Sequence, residues 1–125
     1  MTEIVIDLPL PPRELSPNSR VHPLHRAHTA RRVRCETCYV VRGALAERGL
    51  TSPRWKRAHV EYTWRSPRGP LPDPDNVIAH CKAVLDGLVD AELIADDREV
   101  SVSARVERGK PCLIVTVVPV AEGSP

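Results

Sequence analysis

The chain of 125 residues has no phenylalanine, and aromatic residues make up 3% of it. With so few rings, Val, Leu, Ile and Ala must fill the core, and an apolar share of 42% is enough for one modest core. No apolar run approaches the roughly 20 residues that cross a bilayer, so no membrane partner is expected. The opening Met-Thr-Glu-Ile-Val-Ile-Asp lacks a basic stretch followed by an apolar one, and a signal peptide is not expected. Four cysteines, at positions 35, 38, 81 and 112, do not form the disulfide framework of a small secreted protein. A cytoplasmic protein with reduced thiols is the expectation. There is no glycine-rich phosphate loop and no Ser/His/Asp arrangement, which disfavours a nucleotide-using enzyme.

What the chain does have is proline and an uneven charge. Thirteen prolines imply many defined turns and short elements. Residues 13–68 carry thirteen Lys+Arg against four Asp+Glu, a net of +9. The remainder carries five against twelve, a net of −7. This split fits a basic binding surface beside a separate acidic centre, although a mixed solvated surface would also produce it. Arginine outnumbers lysine fifteen to three, which suits bidentate phosphate contacts.

The periodicity predicts a single α+β domain over residues 1–120, with 121–125 as a disordered tail. Glu3 to Leu8 alternates as a strand, ended by Pro9, Pro11 and Pro12. Residues 13–26 read as a polar, basic connection. Residues 28–48 read as a helix with Ala30, Val33, Thr37, Val40, Val41, Ala44 and Leu45 in one broad apolar stripe, and Gly49 as its C-terminal cap. Trp55 to Arg65 is the next strand, with Val60, Tyr62 and Trp64 facing one way. A helix from Pro74 to about Ala91 follows. Val100 to Val106 alternates, and Arg108-Gly109-Lys110 leads to a last strand, Cys112 to Val118. These last two strands are expected to form a hairpin. The order β-α-β-α-β-β predicts two main helices packed on one mixed sheet.

The chemistry concentrates in Asp73-Pro74-Asp75-Asn76, followed by Lys82, Asp86 and Asp96-Asp97. Asp before Pro is a strong helix start, so Asp73 reads as an N-cap that can still turn an oxygen outward. At about 100° per residue, Val77, Ile78, Cys81, Val84, Leu85 and Leu88 share a buried face, and Asp75, Lys82 and Asp86 share a stripe nearly opposite it. A solvated face with an i,i+4 pair would account for that stripe on an isolated helix. Asp96-Asp97 adds carboxylates from beyond the helix. Carboxylates crowded together repel, and a divalent cation removes that penalty. Mg²⁺ takes such oxygen ligands together with water and a phosphate oxygen. Extending the strand alternation back from Ser101 and Ser103 favours Asp97 over Asp96. Lys82 is placed to stabilise charge on a phosphate.

Other features carry less. Cys35 and Cys38 have a metal-like spacing, but no second close pair accompanies them, and structural zinc is disfavoured. His22, His25 and His28 fall in a polar stretch and read most simply as part of a solvated loop. Asn18, Arg20, Arg26, Arg31, Arg32 and Arg34 make the candidate DNA surface, supplying affinity without sequence reading.

Taken together, the early strand ending in Leu8-Pro9-Leu10-Pro11-Pro12, the Asn18-Ser19-Arg20 segment, Asp73-x-Asp75-Asn76, Lys82-x-x-x-Asp86-Gly87-Leu88 and Asp96-Asp97-x-x-Val100 resemble the RusA family of Holliday-junction resolvases. The resemblance covers most of the chain. It implies a homodimeric, Mg²⁺-dependent endonuclease, with Mn²⁺ as the alternative cation, that cuts four-way DNA junctions by paired symmetric nicks. It maps catalysis onto Asp73, Asp75, Asp97 and Lys82, and the metal onto the three aspartates. Asp86, Asn76 and Asp96 stand as supporting residues. Lys82 lies farther from the Asp75-Asn76 pair than in the better-known form of the motif, whereas its spacing to Asp86 matches. The competing expectations are a non-catalytic basic DNA-binding protein and a nuclease for other branched or flapped DNA.

Overall fold

A computed structural model describes residues 3–120, so the tail expected at 121–125 lies outside the described residues. The fold is a small α+β domain: a four-stranded mixed sheet with helices packed on it. Its elements are β1 (Ile4–Leu8), α1 (Pro23–Glu47), β2 (Ala58–Ser66), α2 (Pro74–His80), α3 (Lys82–Asp90), β3 (Val100–Arg108) and β4 (Cys112–Pro119). A short 3₁₀ turn at Arg13–Leu15 follows the proline run.

The strand order is β1-β4-β2-β3. β4 runs antiparallel to both β1 and β2, while β2 and β3 are parallel. The expected hairpin between the last two strands is therefore wrong, because β2 lies between them. The link from Arg108 to Cys112 passes over the end of β2, where Arg65 and Ser66 close the ladder. Gly109 sits close above Arg65: a Cβ at Gly109 would lie 3.2 Å from the Arg65 Cδ. A parallel pair needs a long crossover, and α2 with α3 supplies the one between β2 and β3.

The period-two pattern decides which sheet face is buried. Ile4, Ile6, Leu8, Val60, Tyr62, Leu113, Val115 and Val117 are all buried and pack with Val33, Val41 and Leu45 of α1 and Val77, Val84 and Leu88 of the later helices. β3 is an edge strand, and its Val100, Val102, Ala104 and Val106 are only partly buried.

Two helix expectations need correction. α1 begins at Pro23, not 28, and contains the region expected to be loop around His25 and Arg26. Proline at the first position is the ordinary signal, but the cap is unusual: Nδ1 of His22 accepts from the Leu24 N–H at 3.1 Å. The helix expected from Pro74 to about Ala91 is broken at Cys81. There φ is −99° and ψ is 16°, and the Cys81 N–H is shared between the carbonyls of Val77 (3.0 Å) and Ile78 (3.2 Å). The break lets α2 lie on β2 and β3 while α3 turns to pack along α1. No proline or glycine marks it, and the buried Cys81 satisfies both halves of one apolar stripe.

The α1–α3 contact is tight at Gly87. A Cβ there would come within 2.6 Å of the Thr37 Cβ and 2.8 Å of the Arg34 carbonyl oxygen. Both helices end in the same way. Leu50 N–H returns to the Leu45 carbonyl at 2.9 Å with Gly49 at φ 68°, and Leu93 N–H returns to Leu88 at 3.2 Å with Glu92 at φ 62°. Gly49 suits the left-handed position; Glu92 occupies it against the usual preference.

Candidate metal and nucleic-acid site

The acidic segment enters the site through the start of α2. Pro72 leads into Asp73, which holds extended backbone angles (φ −69°, ψ 149°), and Pro74 opens the helix. The Asp73 carbonyl accepts the first helical bond from Val77 N–H at 3.0 Å. Its carboxylate makes no capping hydrogen bond. Asp73 therefore occupies the cap position without using its side chain there, and both oxygens remain available. Asp75, one residue into the helix, is likewise exposed.

A second group forms at the start of α3. The Lys82 ammonium donates to Asp86 at 2.8 Å, one turn along the same helix. It also donates to Asp97 at 3.5 Å, from the turn before β3. The bond to Asp86 raises the Lys82 pKa above the usual lysine value, and the nearby Asp97 charge adds to it. Lys82 is thus a fixed positive charge at neutral pH.

Asp96 and Asp97 do opposite things. Asp96 accepts from the Arg98 N–H at 2.8 Å and from its guanidinium at 2.9 Å, which closes the turn and lowers the Asp96 pKa. Asp97 is exposed and faces Lys82. Both precede β3, so the strand alternation used to choose between them does not operate here; the turn makes the distinction instead.

Chemically these carboxylates suit a hard divalent cation. Their geometry does not yet gather them: among the described residues, no three Asp, Glu, His or Cys side chains are grouped to hold a metal ion. Asp75 belongs to α2 and Lys82 to α3, on either side of the break at Cys81, so the one unbroken helix expected to carry both is not formed. The structure brings together Lys82, Asp86 and Asp97, and leaves Asp73 and Asp75 at the other end of α2.

No family model matches the chain. An uncharacterized protein of Xylella fastidiosa is 36% identical to it over 96 residues. The match covers 77% of this chain and 62% of that protein's length, so the chain spans less than two thirds of its relative.

The basic residues divide by what they touch. Arg26 braces the segment before α1, donating to the carbonyls of Ser16 at 3.1 Å and Ser19 at 2.7 Å. Arg34 makes a two-pronged bond to Asp90 of α3, at 2.5 and 2.9 Å, which raises the Arg34 pKa and lowers that of Asp90. Arg32 lies 3.9 Å from Glu36. Asn18, Arg20 and Arg31 are exposed, and among the described residues their side chains have no such partner. Of the six residues expected to face DNA, Arg26 and Arg34 are engaged in holding the fold. His25 pairs with Glu14 at 3.3 Å.

Sequence patterns did not disclose two further side-chain contacts. Asp90 meets Arg34 across 56 positions of sequence, with no local signal. Trp64, at the end of β2, packs at 5.1 Å between ring centroids against His80, the last residue of α2. The His80 Nε2 is 2.7 Å from the Pro12 carbonyl oxygen, which fixes the imidazole. The strand alternation places Trp64 on the helix-bearing face, but nothing local pairs it with His80. No helix among the described residues is long and apolar enough to cross a membrane.

Proposed function

We propose that this protein is a Mg²⁺-dependent, structure-selective endonuclease of the RusA type, acting in the cytoplasm as a homodimer that resolves four-way DNA junctions by paired symmetric nicks. The observation that carries this reading is the approach of Lys82 to Asp97. It joins two parts of the motif that lie fifteen positions apart, just past the C-terminal end of the helix whose N-terminal end carries Asp73 and Asp75.

Asp73, Asp75 and Asp97 are the residues that would hold the cation, with Mn²⁺ as an alternative. When bound, such an ion lowers the pKa of water and offsets charge on a scissile phosphate. Asp97 has the capacity for this, because a carboxylate offers about four lone-pair sites and Lys82 uses one of them. Asp86 holds the Lys82 ammonium in place, and Lys82 supplies fixed positive charge for the phosphate. Arg20 and Arg31, exposed and without ion pairs among the described residues, supply phosphate contacts that position the DNA without reading its sequence. A two-fold dimer matches the approximate two-fold symmetry of a four-way junction and puts one acidic centre on each opposing strand.

The substrate comparison tests this directly. The protein is incubated with a labelled four-way junction, a linear duplex and a flap, with Mg²⁺ or with EDTA. Symmetric Mg²⁺-dependent nicks on the junction alone are expected. Cutting of the flap in preference to the junction would move the activity to other branched DNA. A non-catalytic DNA-binding role is the second reading, supported by the exposed basic side chains of residues 13–68; junction binding with no cutting under either condition would establish it.

A further inference from the structure

Between the 3₁₀ turn after β1 and the loop joining β2 to α2 lies an open groove of about 550 Å³. Trp64 lines it and remains partly exposed, with the fixed His80 ring beside it. Asn18 and Asn76 contribute amides to the same walls, and Arg13 and Pro72 complete its rim. Pro72 and Asn76 flank Asp73 and Asp75 in sequence, so the groove adjoins the acidic start of α2.

We propose that this groove receives one unpaired nucleobase of a bound DNA strand, stacked on Trp64. Stacking on an aromatic side chain accepts any base, since every base has a π-face. An indole held against a second ring is a preformed platform, because His80 is tied to the Pro12 carbonyl and Trp64 belongs to a paired strand. The Asn18 and Asn76 amides each offer a donor and an acceptor, as base edges do. Arg13 is exposed at the rim and provides charge complementary to the strand's phosphates. The occupant therefore has an apolar flat face, polar edges and an attached anion, which together describe a nucleotide. The proposal deepens the nuclease reading and rests on it for the identity of the strand: a base lodged next to Asp73 and Asp75 holds its own backbone against the acidic centre.

Binding without cutting tests the proposal independently of catalysis. Affinities are measured in EDTA for an oligothymidylate strand and for an abasic strand of equal length and charge. The wild-type protein is expected to prefer the oligothymidylate by about tenfold, the scale of one stacked base. Trp64→Leu should lose that preference while keeping its affinity for the abasic strand, and Trp64→Phe should keep most of it. With Trp55→Phe as background, so that Trp64 is the only indole, oligothymidylate should quench the fluorescence and the abasic strand should not. Equal wild-type affinity for the two strands, or an unchanged preference in a folded Trp64→Leu protein, would overturn the proposal. Loss of junction cleavage as an activity with the base preference intact would instead remove the nuclease reading and leave the groove assigned.

Discussion

At the scale of single residues, a few side chains set the local geometry. Gly87 is the clearest case. A methyl group at this position meets the Thr37 side chain and the backbone carbonyl of Arg34, and the carbonyl cannot rotate away. Gly87→Ala is expected to destabilise the fold by about 1–3 kcal/mol through overpacking, read by urea denaturation. Glu92 argues in the other direction. It holds the left-handed position that ends α3, which a glycine adopts without a Cβ penalty. Glu92→Gly should raise stability by up to about 1 kcal/mol, despite the extra freedom it gives the unfolded chain. An unchanged or lower denaturation midpoint would show that Glu92 has a compensating contact. Lys82 carries the chemical prediction at this scale. Lys82→Gln removes the fixed charge and should lower junction cleavage by about 10²-fold, the usual effect of losing one preorganised electrostatic donor, with junction binding reduced far less.

At the scale of elements, the pairing of α1 with α3 has a measurable pH signature. Arg34 holds the Asp90 pKa below its ordinary value, chiefly by their hydrogen bonds. A depressed folded-state pKa gives stability that is complete above the unfolded value of about 3.9 and is lost as pH falls through the lower folded value. Both side chains are partly exposed, so solvent screens the pair and limits it to a few tenths of a kcal/mol. Arg34→Gln should remove this increment at neutral pH and converge with wild type in strong acid, seen in paired denaturation curves. The elements also show what was legible beforehand. Alternation located all four strands because one face of the sheet is buried and each strand keeps its register. It could not decide which strands pair: the short Arg108–Lys110 link looks like a hairpin, yet it spans the end of β2. Helical periodicity found the buried stripe from Val77 to Leu88 but passed over the break at Cys81, since the break keeps Cys81 itself buried. His22 concealed the true start of α1 because histidine is an uncommon cap.

At the scale of the whole molecule, the candidate site was legible in composition and spacing and less so in arrangement. Spacing put Asp75, Lys82 and Asp86 on one stripe with Asp96-Asp97 as a second acidic pair, and the resemblance mapped Asp73, Asp75, Lys82 and Asp97 onto one centre. In the folded chain Lys82 and Asp97 meet, whereas Asp73 and Asp75 stand at the far end of α2. Which arginines are free was not legible at all, because Arg26 and Arg34 find their partners through tertiary contacts. The net of +9 over residues 13–68 nevertheless remains largely on exposed side chains. DNA binding should therefore weaken steeply as salt rises, and Arg20→Ala with Arg31→Ala should flatten that dependence without changing any preference among sequences. The claim that joins these scales is that the acidic start of α2 is a catalytic centre and not a solvated helix end. Asp75→Asn tests it most directly, because Asp75 is exposed and among the described residues its side chain forms no hydrogen bond or ion pair in the fold. The decisive measurement compares cleavage and binding of a labelled four-way junction in Mg²⁺ for the wild-type protein and Asp75→Asn. The account predicts undiminished binding and abolished cleavage in the variant; cleavage at the wild-type rate would contradict it.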